Sequence, residues 1–307
     1  MQSVSSKILT ERPTVFVLAP AFHGATVLSI YLDSHPEIVS LGDTVPRWNQ
    51  NCACGSRVID CKFWQKIIKA TTNGQPSDKT CHIISPLKIN ESFKALDYFI
   101  VSGLYAISRI SPEFARKIQG ENIHRFLAKN EIFVDTALSA MNKSILVDGQ
   151  KSISKALLMV ASNSRSPRRI IHLIRDPRAY VTSSLKGKNP GTENIVRTWK
   201  RLHLGIEIFG RTLKNFEYLP IKFEDFARNP QKTMDQISLF LNLDPMIVEG
   251  KNSQVRLGHQ IGNTSYRKHG VSVNSSEGWR EALTLAQQQK ILQLAGRLGK
   301  KYGYYLK

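Results

Sequence analysis

The sequence predicts an α/β protein built on a central parallel sheet with helices on both faces. Short β-branched runs recur at 14–19 (TVFVLA), 37–42 (EIVSLG), 143–149 (KSILVDG), 169–175 (RIIHLIR) and 217–225 (EYLPIKFED), with helical segments between them. Strands that alternate with helices are joined by crossovers, the connection a parallel sheet uses, and apolar runs suit strands covered on both faces. The chain has 307 residues, 41% hydrophobic and 22% charged, without internal repeats or low-complexity tracts, which is enough to bury a sizeable core. A single domain over 1–307 is expected, with a helical, Cys-containing insertion or lid at about 50–142.

The opening MQSVSSKILTERPTVFVLAP has no apolar run of signal-peptide length ahead of its charges, and the longest apolar stretch, near ALDYFIVSGLYAI, is broken by Asp97. A cytoplasmic protein without a transmembrane segment is expected. From Thr14 the chain reads as a strand, turns at Gly24 and enters a helix that stops at His35 and Pro36. In such a unit Gly24 can take a positive φ, so that the amides of Ala25, Thr26 and Val27 point at an anion with the helix dipole behind them. Thr26 adds a hydroxyl. Leu28 and Leu32, like Val27 and Tyr31, fall four apart and stack on the buried side of the helix. The lysine and second glycine of GxxxxGK[ST] are missing, which weakens kinase and NTPase readings, and taken alone the turn also fits a plain strand-to-helix connection.

Cys52, Cys54, Cys61 and Cys81 lie close together, but CxC followed by six residues and a third Cys is not a standard zinc spacing. Reduced structural thiols are the expected state in a reducing cytosol, with a metal site as the alternative. Further on, Asn229 and Pro230 read as an N-cap and first-turn proline, and Thr284 with Gln287 as the capping box of the last helix.

The formal net charge of +19 suits anionic ligands, and nucleic acid, anionic lipid and phosphorylated small molecules all qualify. Aromatics make up only 8% of the chain and no nucleic-acid module is present, so no nucleic-acid partner is expected. The positive charge concentrates near RIIHLIRDPRAYVTSS: residues 161–190 carry seven Arg or Lys and a single acid. Arg175 falls at the carboxyl end of an apolar strand, the usual ligand position in an open α/β sheet. Ser183 lies eight residues on, about two helical turns past Pro177, where its hydroxyl and the guanidinium could share an anion. A solvated basic face is the alternative.

The pair HGATVLSIYLDSHPEIVSLGD and IIHLIRDPRAYVTSS resembles the sulfotransferases that use 3'-phosphoadenosine 5'-phosphosulfate (PAPS). In that family a PRSGTTLL loop cradles the 5'-phosphosulfate, and an Arg and a Ser eight apart bind the 3'-phosphate; Arg175 and Ser183 match that spacing. NCACGSRVIDCKFW is similar to a CxCG…CxFW element of a bacterial-type branch, ILVDGQKS to its VDSSKS strand, and IKFEDFARNP to its YEDL segment. GNTSYRKHG, EGWREALT and the GYY ending are similar to its C-terminal elements, so the resemblance covers roughly 14–305.

The resemblance implies a three-layer P-loop-like fold and in-line transfer of a sulfuryl group from PAPS to a hydroxyl or amine. The acceptor would be a small molecule, lipid or glycan, and no metal is expected in the reaction. Lys151, aligned with the DSSK lysine, would stabilise transition-state charge, although Gly149 and Gln150 replace the two serines; a surface lysine at a helix start is the other reading. Asp43, where the branch has GE, would be the general base or a helix N-cap. Arg267 and Lys268 would close over the 3'-phosphate. Phe22 falls where the loop's cation belongs and His23 where its Ser belongs, so His23 either substitutes as a protonated donor or holds the loop backbone. Trp199 or Trp279 would stack on adenine or pack the core, and indole bulk favours the core. A sulfotransferase-like fold that has lost catalysis is the alternative function.

Overall fold

The computed structural model describes residues 14–42, 49–72, 103–104, 106–107, 110–118, 120–149, 153–161, 168–185, 191–212, 216–248, 258–261 and 277–306. Its sheet has five strands, β1 (Thr14–Leu18), β2 (Ile38–Ser40), β3 (Ile145–Asp148), β4 (Arg168–Ile174) and β5 (Phe216–Lys222). Their order is β2-β3-β1-β4-β5, and every pairing is parallel. The helices used below are α1 (Ala25–Asp33), α2 (Lys62–Thr72), α3 (Pro112–Ile118), α4 (Glu121–Met141), α5 (Ile153–Ala161), α6 (Pro177–Leu185), α7 (Thr192–Thr212), α8 (Phe223–Arg228), α9 (Pro230–Leu241), α10 (Trp279–Ala282) and α11 (Leu285–Lys301).

The alternation of side chains along the strands makes the three layers. Val15 and Val17 of β1, with Ile171 and Leu173 of β4, bury against Leu28 and Tyr31 of α1, Phe226 of α8 and Ile237 of α9. Phe16, Leu18 and Ile170 point the other way, onto Leu127 of α4, Leu158 of α5 and Ile206 of α7. A sheet buried on both faces needs apolar residues at successive positions, which is why these strands read as continuous runs. At the β2 side, Val39 and Leu146 meet Trp64 and Ile67 of α2 and Phe133 of α4, so α2 and this part of α4 pack against the sheet. On the opposite flank α11 brings Ile291 and Ala295 onto Val181 and Trp199. Trp199 and Trp279 are both core residues.

All five expected strands are present; three end one residue before the expected run and two end two or three residues before it. The last stops at Lys222, and Phe223–Arg228 turns into α8, because Glu224 and Asp225 stand in a first turn that favours acids. The second stops at Ser40, since Gly42 takes φ 69° and bridges Ile261 instead of β3. Both expected caps formed. Asn229 accepts the Lys232 amide at 3.0 Å, with Pro230 in the first turn. The Thr284 hydroxyl accepts the Gln287 amide at 3.3 Å while the Gln287 side chain accepts the Thr284 amide at 2.8 Å. Thr284→Ala should therefore cost about 1 kcal/mol in urea unfolding, the usual worth of an N-cap.

No helix among the described residues is long and apolar enough to cross a membrane.

Candidate functional site

The sheet order places β1 in the middle, with β2 and β3 reached on one side and β4 and β5 on the other. Winding reverses there, and the carboxyl ends of β1 and β4 open the crevice where ligands of α/β sheets bind. The two sequence elements that looked anion-binding both emerge at this point.

After β1 the chain turns through Phe22 at φ 63° and Gly24 at φ 81°, and Gly24 caps α1. Positive φ at Gly24 turns the chain so that Ala25, Thr26 and Val27 are the first helical residues, whose amides have no carbonyl four residues back inside the helix. Close packing demands the glycine as well. A Cβ there would fall 2.2 Å from the Phe223 ring. Thr26 and Val27 are half-buried, and Phe22 is 54% exposed.

Arg175 follows β4 and is only 8% exposed. Its guanidinium donates to the Phe22 carbonyl and lies 4.9 Å over the Phe223 ring. Burial lowers its pKa from the ordinary guanidinium value, opposed by the nearby carboxylates of Glu224 and Asp176. The same strand end is fixed from behind. Trp199 Nε1 donates to the Arg175 carbonyl at 3.0 Å, and Glu224 accepts the Asp176 amide at 2.8 Å and the Tyr304 hydroxyl at 2.8 Å.

Two other cations of this basic stretch have other duties. Arg178 is paired with Asp176 at 2.7 Å and stacked 3.8 Å from the Trp279 ring, and Arg169 is paired with Glu217 at 2.5 Å. Ser183 is half-buried two turns into α6, where sequence spacing placed it. Trp279, Arg178 and Tyr304 also line a cavity of about 610 Å³ beside the C-terminal helix, but Gly24, Arg175 and Ser183 do not line it.

His23 faces inward and is 1% exposed. Its Nδ1 lies 3.0 Å from the Ala21 carbonyl and its Nε2 lies 2.9 Å from His203 Nε2. His203 Nδ1 in turn lies 2.7 Å from His172 Nε2, and His172 Nδ1 lies 2.5 Å from the Tyr218 hydroxyl. One set of neutral tautomers satisfies this whole chain: Tyr218 donates to His172, His172 to His203, His203 to His23, and His23 to Ala21. Burial, with the His23 imidazole adding to it, lowers the His172 pKa to about 3, and burial pushes His203 well below its ordinary value. His172 and His203 are thus held neutral at physiological pH.

Comparison with known proteins bears on this geometry directly. A family model described as "Sulfotransferase family" matches residues 13–246, which include the turn, Arg175 and Ser183. The chain belongs to the sulfotransferase family. No curated protein sequence matches it. Among solved structures it is similar to the sulfotransferase domain from the Synechococcus PCC 7002 olefin synthase, at 19% identity and TM-score 0.51, over 97% of each chain. It is also similar to the sulfotransferase domain from the curacin biosynthetic pathway, at 14% identity and TM-score 0.52, over 97% of this chain and 100% of that one. At such identities the likeness is one of fold.

In this sulfotransferase-family chain the structure brings Gly24, Ala25, Thr26, Val27 and Arg175 to one crevice, with Ser183 on the helix that follows Arg175. Asp43, Lys151, Arg267, Lys268 and Cys81 lie outside the described residues. The substitution of Ser by Gly149 has a steric reason: a Cβ at Gly149 would sit 2.4 Å from the Gly42 carbonyl oxygen. Sequence reasoning missed His203, His172 and Tyr218, which back His23, and Phe223, which packs beneath Gly24. It also missed Lys155, whose ammonium pairs with Asp148 at 2.6 Å in the interior. None of these carries a local pattern, since each meets its partner only through the fold.

Proposed function

We propose that this chain transfers a sulfuryl group in line from PAPS to a hydroxyl or amine of a small-molecule, lipid or glycan acceptor. The observation that carries the reading is the contact between the two anion-binding elements: Arg175, at the end of β4, donates to the carbonyl of Phe22 in the glycine turn after β1. A donor with a 5'-phosphosulfate and a 3'-phosphate needs two anion sites fixed relative to each other, and this contact links them.

In the proposed mechanism the amides of Ala25, Thr26 and Val27 and the Thr26 hydroxyl hold the 5'-phosphosulfate at the start of α1. Arg175 and Ser183 hold the 3'-phosphate, and Arg267 and Lys268 cover it. Lys151 neutralises charge gathering on the leaving phosphate, and Asp43 takes the acceptor proton. Gly149 and Gly42, the glycines just ahead of these two residues, are in close backbone approach. For His23 the geometry favours the holding role: both ring nitrogens face protein partners, so it shapes the turn and acts as a positioning residue. The reaction needs charge neutralisation and alignment rather than a covalent intermediate.

A second reading rests on Phe22, an exposed aromatic where the family loop carries a cation. A chain that binds the donor and no longer transfers would have this feature. The two readings share the donor site and differ only in turnover.

The deciding experiment is calorimetric titration with adenosine 3',5'-bisphosphate beside AMP and ATP, followed by an acceptor screen with PAPS. The bisphosphate should bind in preference, and Arg175→Ala should weaken it by about 10- to 150-fold, the value of hydrogen bonds to a charged partner. No preference over ATP would sink the assignment. Selective binding without transfer to any acceptor would favour the second reading.

A further inference from the structure

Away from the crevice, three thiols and one imidazole converge. Cys52, Cys54, Cys61 and His259 present Sγ and Nδ1 atoms that all lie within 4.8 Å of one another. The Cys54 and Cys61 sulfurs are 3.7 Å apart, and His259 Nδ1 lies 3.6 Å from Cys52 Sγ and 3.3 Å from Cys61 Sγ. A tetrahedral zinc ion, with Zn–S of about 2.3 Å and Zn–N of about 2.0 Å, requires edges of about 3.8 Å between sulfurs and about 3.5 Å from sulfur to nitrogen. The Cys54–Cys61, Cys52–His259 and Cys61–His259 separations match those edges, and the other three lie within 4.8 Å. A disulfide needs about 2.05 Å, so the 3.7 Å pair is not one.

Backbone and side-chain contacts around the cluster hold its four residues in place. Residues 50–58 form a small hairpin closed by the Asn51–Arg57 bridge and by the Val58 amide on the Gln50 carbonyl at 2.8 Å. At its tip the Cys52 amide donates to Ser56 at 2.9 Å and the Gly55 amide returns to the Cys52 carbonyl at 3.1 Å, with Gly55 at φ 104°. Cys61 is presented just before α2. His259 arrives from far along the chain and is held by three contacts. Its ring stacks on Phe63 at 4.6 Å, its carbonyl accepts from Trp64 Nε1 at 3.2 Å, and the Gln260 carbonyl beside it accepts the Ala53 amide at 2.9 Å. Cys52 and Cys61 are buried, which shields their sulfurs from bulk solvent.

We propose that Cys52, Cys54, Cys61 and His259 bind one zinc ion in a closed structural site. Three cysteines and a histidine complete the tetrahedron and leave no position open for water, which separates structural from catalytic zinc. The ion clamps the hairpin ahead of α2 to residues 258–261. That segment fixes the end of β2: the Ile261 amide donates to Leu41 at 2.8 Å, and Gln260 Nε2 donates to Asp33 at 2.7 Å. The sequence expectation of plain reduced thiols rested on the spacing of the cysteines and on a reducing cytosol, whereas the fourth ligand stands 198 residues beyond Cys61. The proposal is independent of the donor and acceptor chemistry assigned above.

The test is the metal content of the purified full-length protein and cobalt titration of the metal-stripped protein. About one zinc per chain is expected, and cobalt should give the intense visible absorption of a tetrahedral thiolate site. Cys61→Ser and His259→Ala should each lose most of the bound zinc, while Cys81→Ser should keep it. Circular dichroism of each variant separates loss of the site from loss of the fold, and the cobalt spectrum of the wild type does not depend on any variant folding. Absence of zinc together with an octahedral cobalt spectrum would overturn the proposal, as would full zinc retention in folded Cys61→Ser.

Discussion

Gly24→Ala is expected to destabilise the protein by about 2–5 kcal/mol and to remove donor binding, although it adds a single methyl group. Two independent penalties meet at this residue. Its φ of 81° is in the left-handed region, where a Cβ costs about 1–2 kcal/mol. The new Cβ would also lie 2.2 Å from the Phe223 ring, and making room in a packed interior costs about 1–3 kcal/mol. These penalties separate experimentally. Adding Phe223→Leu should return part of the steric cost and leave the backbone cost in place, as read by urea unfolding of the single and double variants. Phe223 also lies beneath the Arg175 guanidinium, so any shift of its ring disturbs both of the elements proposed to bind the donor. Bisphosphate affinity should therefore remain impaired in the double variant. A Gly24→Ala protein with wild-type stability and binding would mean that the turn has another conformation in solution.

This turn also shows what the sequence could and could not reveal. Gly24 and Arg175 were legible because each stands where a strand leaves the sheet, and strand ends can be found from apolar runs and the turn that follows. Their contact follows from β1 and β4 being neighbours, which a parallel sheet with a central first strand supplies. The caps at Asn229 and Thr284 were legible for a similar reason: their partners lie three residues away. Phe22 gave no sign of its positive φ, which non-glycine residues rarely adopt. The zinc ligands show the limit most sharply. CxC with a third Cys is only a fragment of a site, and the imidazole that completes it comes from a segment brought back to the end of β2 by the Ile261 bridge.

His203 was hidden because a single histidine on a long amphipathic helix has no pattern, yet its replacement is expected to be as damaging as any near the site. It lies between His23 and His172, accepting from one ring and donating to the other. In His203→Leu both neighbours lose a partner while still buried. Each orphaned polar group costs about 1–3 kcal/mol, so the loss should be about 2–6 kcal/mol, with a further loss of donor binding as His23 releases the turn. His203→Gln retains an amide donor and a carbonyl acceptor and should recover part of the stability.

The same network sets an acid limit. The groups around it are Tyr218 on β5, Glu207 on α7 and Tyr302 after α11, and Glu207 is itself bound by Lys301, Arg211 and Tyr302. His172 has its folded-state pKa lowered to about 3 by burial, against about 6.5 for an ordinary imidazole in the unfolded chain. Between those values the unfolded chain takes up a proton that the folded one refuses. The contribution is therefore complete above about pH 6.5 and drains away as pH falls towards about 3. Between about pH 6.5 and 5, above the carboxylate range, wild-type stability should already decline, and a His172→Gln, His203→Gln double variant should show a flatter profile. Equal slopes in the two proteins would show that these rings are protonated as readily in the fold as out of it, and the neutral chain behind the glycine turn would have to be abandoned.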